Sequence, residues 1–213
     1  MTNYEGRNAN LKNRINKHLT KLTGNNIDFF TSMEQSDLME LKIVLADINN
    51  VLTLKMTNAA AIWLCEYFNF DKNIESKILN AVDKAKPNSK GFDIHIDEPY
   101  KILAEVKCVA PVNNGNVFGV AQHDSILNDI YKLINGKDTF GDTEKYLKFL
   151  FLIDLGEKTD KAISQLIKET KGKSAIANKF NYLKKDNIEL LDDNLKFENL
   201  DFTKVYLKKL RVK

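Results

Sequence analysis

The run Tyr146-Leu-Lys-Phe-Leu-Phe-Leu-Ile-Asp-Leu155 constrains the fold of this chain more than any other segment. It is densely apolar and does not alternate with polar residues. A strand that shows a solvated face alternates, whereas one covered on both sides does not. The segment therefore predicts a central strand of a sheet with helices on both faces. Around it, Phe118 to Ile134 carries Val120, Ile126, Leu127, Ile130, Leu133 and Ile134 at helical spacing, and Lys158 to Lys171 also reads as helix. Phe202 to Leu210 reads as a final strand.

The first part of the chain reads as helical. Leu11, Ile15, Leu19 and Leu22 mark a helix over Asn10–Leu22, which Gly24 stops. Ser36 is a candidate cap for a second helix through Leu38, Leu41, Leu45 and Ile48. Thr57 is a candidate cap for a third, Asn58–Phe68, and Asp71 for a fourth. Pro87 and the polar residues after it end that helix. The expected organisation is one α/β domain over 1–213, with a mainly helical portion at 1–88 and an α/β portion at 89–213.

The bulk properties exclude more than they assign. With 32 basic and 29 acidic residues the formal net charge is +3, which permits a polyanionic partner and does not require one. Cys65 and Cys108 both lie among apolar neighbours, as expected of thiols in a reducing cytoplasm. The N-terminus lacks the apolar run of a signal peptide, and no stretch is long enough to span a bilayer, so a membrane partner is not expected. No CxxC or HExxH is present, nor a P-loop, GxGxxG or GxSxG. Zinc sites of those spacings and nucleotide or α/β-hydrolase chemistry have no foothold.

The period changes to two at Gly91. Phe92, Ile94 and Ile96 alternate with Asp93, His95 and Asp97; Ile102, Ala104 and Val106 alternate with Leu103, Glu105 and Lys107. Both runs read as strands, with Glu105 and Lys107 sharing one face. A connection through Glu98-Pro99-Tyr100 pairs His95 with Leu103 and sets Asp93 opposite Glu105. A connection one residue shorter would send the two acids to opposite faces. Two carboxylates this close repel unless a positive charge lies between them. Mg²⁺ suits that place, since it takes one or two protein carboxylates and keeps several waters. The main-chain carbonyl of Val106 is a further oxygen ligand. Lys107 can neutralise charge on a phosphate. The competing reading is an ordinary hairpin with one solvated, charged face.

The pattern acid-x-Lys occurs four times, at Glu40, Glu75, Glu105 and Glu169. Three of these fall in expected helices, where residues two apart point in different directions. Only Glu105 has a strand setting and an acid on the strand before it.

These residues, Gly91-Phe92-Asp93-Ile94 and Ile102-Leu103-Ala104-Glu105-Val106-Lys107, resemble the motif of the PD-(D/E)xK nuclease superfamily. Phe92 stands where the family's proline would be. The resemblance implies a restriction-endonuclease-like mixed central sheet flanked by helices. It assigns Asp93, Glu105 and Lys107 as catalytic residues, with Asp93, Glu105 and the Val106 carbonyl as metal ligands. Glu66 and Glu75 are candidates for an additional acid from a preceding helix. The chain looks most like a type II restriction endonuclease, which implies a homodimer cutting double-stranded DNA with Mg²⁺, or Mn²⁺ in its place. The products would carry 5′-phosphates, and a cognate DNA methyltransferase would be the genetic partner. Alternatives are a repair, junction-resolving or modification-dependent nuclease of the same superfamily, and a non-catalytic nucleic-acid-binding module.

For base contacts, Asn113, Asn114, Asn116, Gln122 and His123 follow directly after the motif. Asn and Gln match the edges of adenine; Asn-Asn-Gly-Asn is equally ordinary turn chemistry. Lysines between Lys168 and Lys185, and from Lys204 to Lys213, are candidate phosphate contacts, although charge runs of this kind are usually solvated faces.

Overall fold

The structure is a computed structural model that describes residues 4–85, 91–113, 115–168, 183, 185–192 and 194–212. The chain divides into two compact units, Met1–Asn49 and Asn50–Lys213.

In the first unit, α1 (Tyr4–Thr23) and the short α2 (Phe29–Ser32) are joined by a polar clasp. The Asn16 amide donates to Asp28 Oδ1 at 2.7 Å, and Asp28 caps α2 by accepting from the Phe30 and Thr31 amides. The Thr31 hydroxyl, which donates to Asp28 Oδ2 at 2.6 Å, and then the Asn16 and backbone amides hold the Asp28 carboxyl low, at about 2. A single helix, α3 (Gln35–Tyr67), replaces the two expected. Thr57 does not cap a new helix. Its hydroxyl donates to the Thr53 carbonyl at 2.9 Å, one turn back, so the local alternative that favours a cap is absorbed within the helix.

The second unit is a five-stranded mixed sheet flanked by helices. The strands are β1 (Ile94–Ile96), β2 (Ile102–Lys107), β3 (Leu147–Ile153), β4 (Ile188–Leu190) and β5 (Val205–Leu210), in the order β1-β2-β3-β5-β4. β1 runs antiparallel to β2, and the remaining neighbours are parallel. The expected run 146–155 is the central strand, buried on both faces from Leu147 to Leu152. β4 has only three residues and no pattern of its own to mark it as a strand.

One face of the sheet presents Ile102, Ala104, Phe149, Phe151 and Tyr206 to the C-terminal half of α3 and to α4 (Lys72–Lys84). Asp71 caps α4 as expected, accepting from Asn73 and Ile74 at 2.9 Å. Trp63 packs edge-on to both Phe149 and Phe151. The other face presents Leu103, Leu150, Leu152, Val205 and Leu207 to α5 (Val120–Asn135) and α6 (Glu157–Lys168).

Lys148 breaks the apolar run of β3 and is only 2 % exposed. Its ammonium donates to the carbonyls of Tyr146 and Phe202 at 2.9 and 2.6 Å, as a buried cation must. Burial lowers its pKa. Among the described residues, no helix is long and apolar enough to cross a membrane.

Candidate active site

The hairpin register decides which side chains meet. β1 and β2 pair His95 with Leu103 and Ile94 with Ala104. The strands stop pairing at Ile96 and Ile102, so the connection is longer than the expected three residues, yet the register is the same. Continued by one step, it sets Asp93 opposite Glu105. Asp93 stands just before β1, and its Oδ2 accepts from the Val106 amide at 2.8 Å. The first acid is thereby fixed to the strand that carries the second.

The face that carries Glu105 and Lys107 is not solvated. Alternation along β2 turns both side chains, with Leu103, toward α5, and Glu105 is 6 % exposed. The reading as an ordinary charged hairpin required a wet face, and this face is covered. Glu105 is strongly altered by its surroundings. Burial, followed by the negative charges of Asp93 and Asp129, pushes its carboxyl up to about 8 from 4.5. Lys137 opposes that rise.

Asp129 and Lys137 are functional candidates that the sequence reading missed. Asp129 lies on α5, is 5 % exposed, and accepts an ion pair from Lys107 Nζ at 2.8 Å. Lys132, one turn on, stands 3.8 Å from its other oxygen. A signal existed: Asp129 interrupts the apolar stripe Ile126, Ile130 and Leu133. A charged residue on a buried stripe needs a partner. Lys137 follows α5 across Gly136, whose φ is +85°. A Cβ at Gly136 would meet the Gly141 carbonyl oxygen at 2.6 Å, so a side chain there is barred twice over. The turn Lys137–Phe140 then closes by paired backbone hydrogen bonds. It delivers the Lys137 ammonium to the Gly91 carbonyl at 2.5 Å, over the Phe92 ring, and into an ion pair with Glu105 Oε1. Oε1 is enclosed, and the Lys137 ammonium is its direct partner.

The remaining candidates lie elsewhere. Glu66 is exposed, and Glu75 is paired with Lys72 at 2.6 Å. The carboxylates whose charge raises Glu105 are Asp93 and Asp129, the latter on the helix after the motif. Asn113 and Asn116 are exposed in a turn closed by Val112 and Val117, with Asn113 at φ +52°. Asn114 lies outside the described residues. Gln122 is half-buried, and its Oε1 accepts from the Gly119 amide at 3.3 Å at the start of α5. His123 is 2 % exposed beside Asp124, which leaves it no surface to offer a base edge.

Most of the described C-terminal basic residues are engaged within the fold. Lys204 pairs with Glu189, Lys209 with Asp160 and Arg211 with Asp154, while Lys208 covers the Trp63 ring. Lys171, Lys173, Lys179, Lys184 and Lys213 lie outside the described residues, as does the side chain of Lys185.

Tested as a metal site, the donors near Glu105 are all oxygens, as Mg²⁺ prefers, and the enclosed Oε1 already faces one cation, the Lys137 ammonium. Among the described residues, no group of three or more His, Cys, Asp or Glu is placed to hold a metal. A cation here would take Asp93 and Glu105 as its protein carboxylates, with the remaining positions left to water or substrate. The chain matches no protein-family model, no curated protein and no solved structure.

Proposed function

We propose that this chain is a metal-dependent DNA endonuclease of restriction type, with a restriction-endonuclease-like fold. The observation that supports it is the enclosure of Glu105 on one strand face with Lys107, opposite Asp93 and beneath α5. Burying a carboxylate beside two others is costly, and functional sites are where such arrangements concentrate.

In this reading Asp93 and Glu105 hold Mg²⁺, with the Val106 carbonyl as a third ligand and Mn²⁺ as a substitute. Bound there, the metal polarises a phosphoryl oxygen and lowers the pKa of its water. Asp93 holds its place through the Val106 amide. Asp129 aims the Lys107 ammonium. Lys107 then stabilises the negative charge that develops on the scissile phosphate. Lys137 supplies the positive charge at Glu105 before a cation arrives, so loading requires that its ammonium move aside. Duplex DNA is the substrate, cut to leave 5′-phosphate ends by a homodimer. A cognate methyltransferase protects the host.

Digestion of a mixed DNA panel with Mg²⁺, with and without methylation, tests the reading. Discrete bands with 5′-phosphate ends support it, and cleavage confined to methylated or branched DNA favours another nuclease role. Full cleavage by Glu105→Ala would sink the site.

One observation favours a reading of another class. The four charges pair off internally, Lys137 with Glu105 and Lys107 with Asp129. A non-catalytic nucleic-acid-binding module could use such a network as structure alone. Salt-sensitive DNA binding without cleavage in either metal would establish it.

A further inference from the structure

Positive charge is concentrated on α1, in the first unit. Its 20 residues carry five basic side chains and one acid, Glu5. That is a net +4, against +3 for the whole chain, so the rest of the chain, with 27 basic and 28 acidic residues, is close to neutral. The placement within the helix is just as uneven. Arg7, Asn10, Arg14, Lys17 and Lys21 follow one another at spacings of three and four. That sets them on one face, in a stripe about 21 Å long at about 1.5 Å per residue. All five are exposed. The second element of the unit leaves them so. Lys12 lies over the Phe30 ring at 5.0 Å, and Asn16 holds Asp28, which keeps α2 against the other side of α1.

Among the described residues, no acid pairs with any of the four cations of the stripe. Lys204, Lys209 and Arg211, by contrast, each have one. A solvated helix face ordinarily mixes both signs, because opposite charges three or four residues apart support the helix and like charges work against it. Arg14, Lys17 and Lys21 are like charges at that spacing. The stripe weakens the helix that carries it, so local stability does not account for it.

We infer that this face of α1 is a docking surface for nucleic acid and lies against the sugar–phosphate backbone of a duplex. A line of cations with no acid in it matches a line of phosphates, and contact releases the counterions condensed on them. Arginine and asparagine also donate hydrogen bonds to phosphate oxygens. Such contacts read charge and not sequence. That the polyanion is duplex DNA rests on the proposed function; that it is a nucleic acid rests on the stripe and uses nothing from Glu105. A membrane surface fits less well. A helix that lies in a membrane needs a free apolar face beside its cations. On α1, Ile15 and Leu19 are half-buried, and the exposed Leu11 and Leu22 stand about three turns apart.

Fluorescence anisotropy of a labelled duplex with the full chain, in chelator so that nothing is cut, is the test. The affinity of the unaltered chain is expected to fall at least about a hundred-fold between about 50 and 200 mM salt, as four phosphate contacts require. Arg14→Gln with Lys17→Gln should lessen the slope of log affinity against log salt by about two, and neutralising Arg7 and Lys21 as well by about three to four. Glutamine keeps the helix, since its propensity is close to that of Lys and Arg. Lys77→Gln with Lys84→Gln, equally exposed on α4, should leave the slope unchanged. Should the fourfold variant fail to fold by circular dichroism, Arg14→Gln and Lys17→Gln singly, each worth about one unit of slope, decide the matter. An unaltered chain that does not bind, a slope indifferent to the α1 variants or an equal loss from the α4 pair would overturn the inference. So would α1-dependent binding to vesicles of equal parts phosphatidylcholine and phosphatidylglycerol in place of DNA. Specific cleavage in Mg²⁺ that no α1 variant weakens at any salt would sink the docking surface and spare the nuclease reading. Binding through α1 by a chain that cuts nothing would do the reverse.

Discussion

The two faces of the sheet are built from the same strands and solve different problems. Toward α3 and α4, β2 and β3 present Ile102, Ala104, Phe149 and Phe151, and the packing is aromatic and dry. Toward α5 and α6 the same strands present Glu105, Lys107 and Lys148 between their apolar residues. Among the described residues, the three buried charged side chains, Glu105, Asp129 and Lys148, all belong to this second face. The first face makes the fold stable, and the second accepts a penalty that stability alone does not require. That asymmetry is the physical argument for placing the site under α5.

Substitutions on the two faces should therefore separate activity from stability. The largest effect is expected in cleavage. Glu105→Ala or Lys107→Ala should lower cleavage in Mg²⁺ by about a thousand-fold or more, roughly 4 kcal/mol of transition-state stabilisation. Either variant cutting at the unaltered rate would break the comparison. On the opposite face, Phe151→Ala should cost about 3–5 kcal/mol in urea unfolding, and residual activity should follow the folded fraction. Next, Lys137→Ala leaves Glu105 without its cation, and above about pH 8, where the carboxyl is ionised, a loss of about 3 kcal/mol is expected without divalent metal. Added Mg²⁺ should recover much of it, and a variant indifferent to Mg²⁺ would show that no cation takes the place of Lys137.

The sign of the pH effect follows from Glu105. Its carboxyl lies at about 8 in the fold against an ordinary 4.5, so the folded state holds the proton more tightly. The associated stability is full below 4.5 and is lost as pH rises through about 8. Without divalent metal the melting temperature should fall across that window, and Glu105→Gln should flatten the fall. A slope unchanged by Glu105→Gln would place the titration elsewhere. The smallest effect belongs to the surface. Arg211→Ala breaks an exposed pair with Asp154 and should cost no more than about 0.5 kcal/mol.

Much of this arrangement was legible in the chain because strand alternation has a short memory. The shared face of Glu105 and Lys107 follows from period two, the central strand from an apolar run that does not alternate, and the hairpin register from the connection through Glu98-Pro99-Tyr100. Asp71 carried its own capping signal. What escaped depended on distant packing. Thr57 looked like a cap because its hydroxyl has two local options, and only the continuing helix selects Thr53 as partner. β4 exists because β5, well downstream, offers it an edge. Asp129 and Lys137 meet the motif because α5 crosses β2 with one side and then turns sharply at Gly136, which no spacing within the motif encodes.

Lys148 has one more consequence, for how the fold opens. Its ammonium ties the Tyr146 carbonyl to the Phe202 carbonyl, fifty-four residues from the lysine, at the point where β3 and β5 both begin. Parting those strands strands a cation in an apolar layer unless water floods it at the same moment. Fraying one strand from the other is then nearly as hard as unfolding both. The amide protons of Phe149–Leu152 and of Tyr206 and Leu207 should exchange with deuterium as one set, at the rate of global unfolding. The lysine that looks like a flaw in the most apolar strand would be what makes the sheet open all at once.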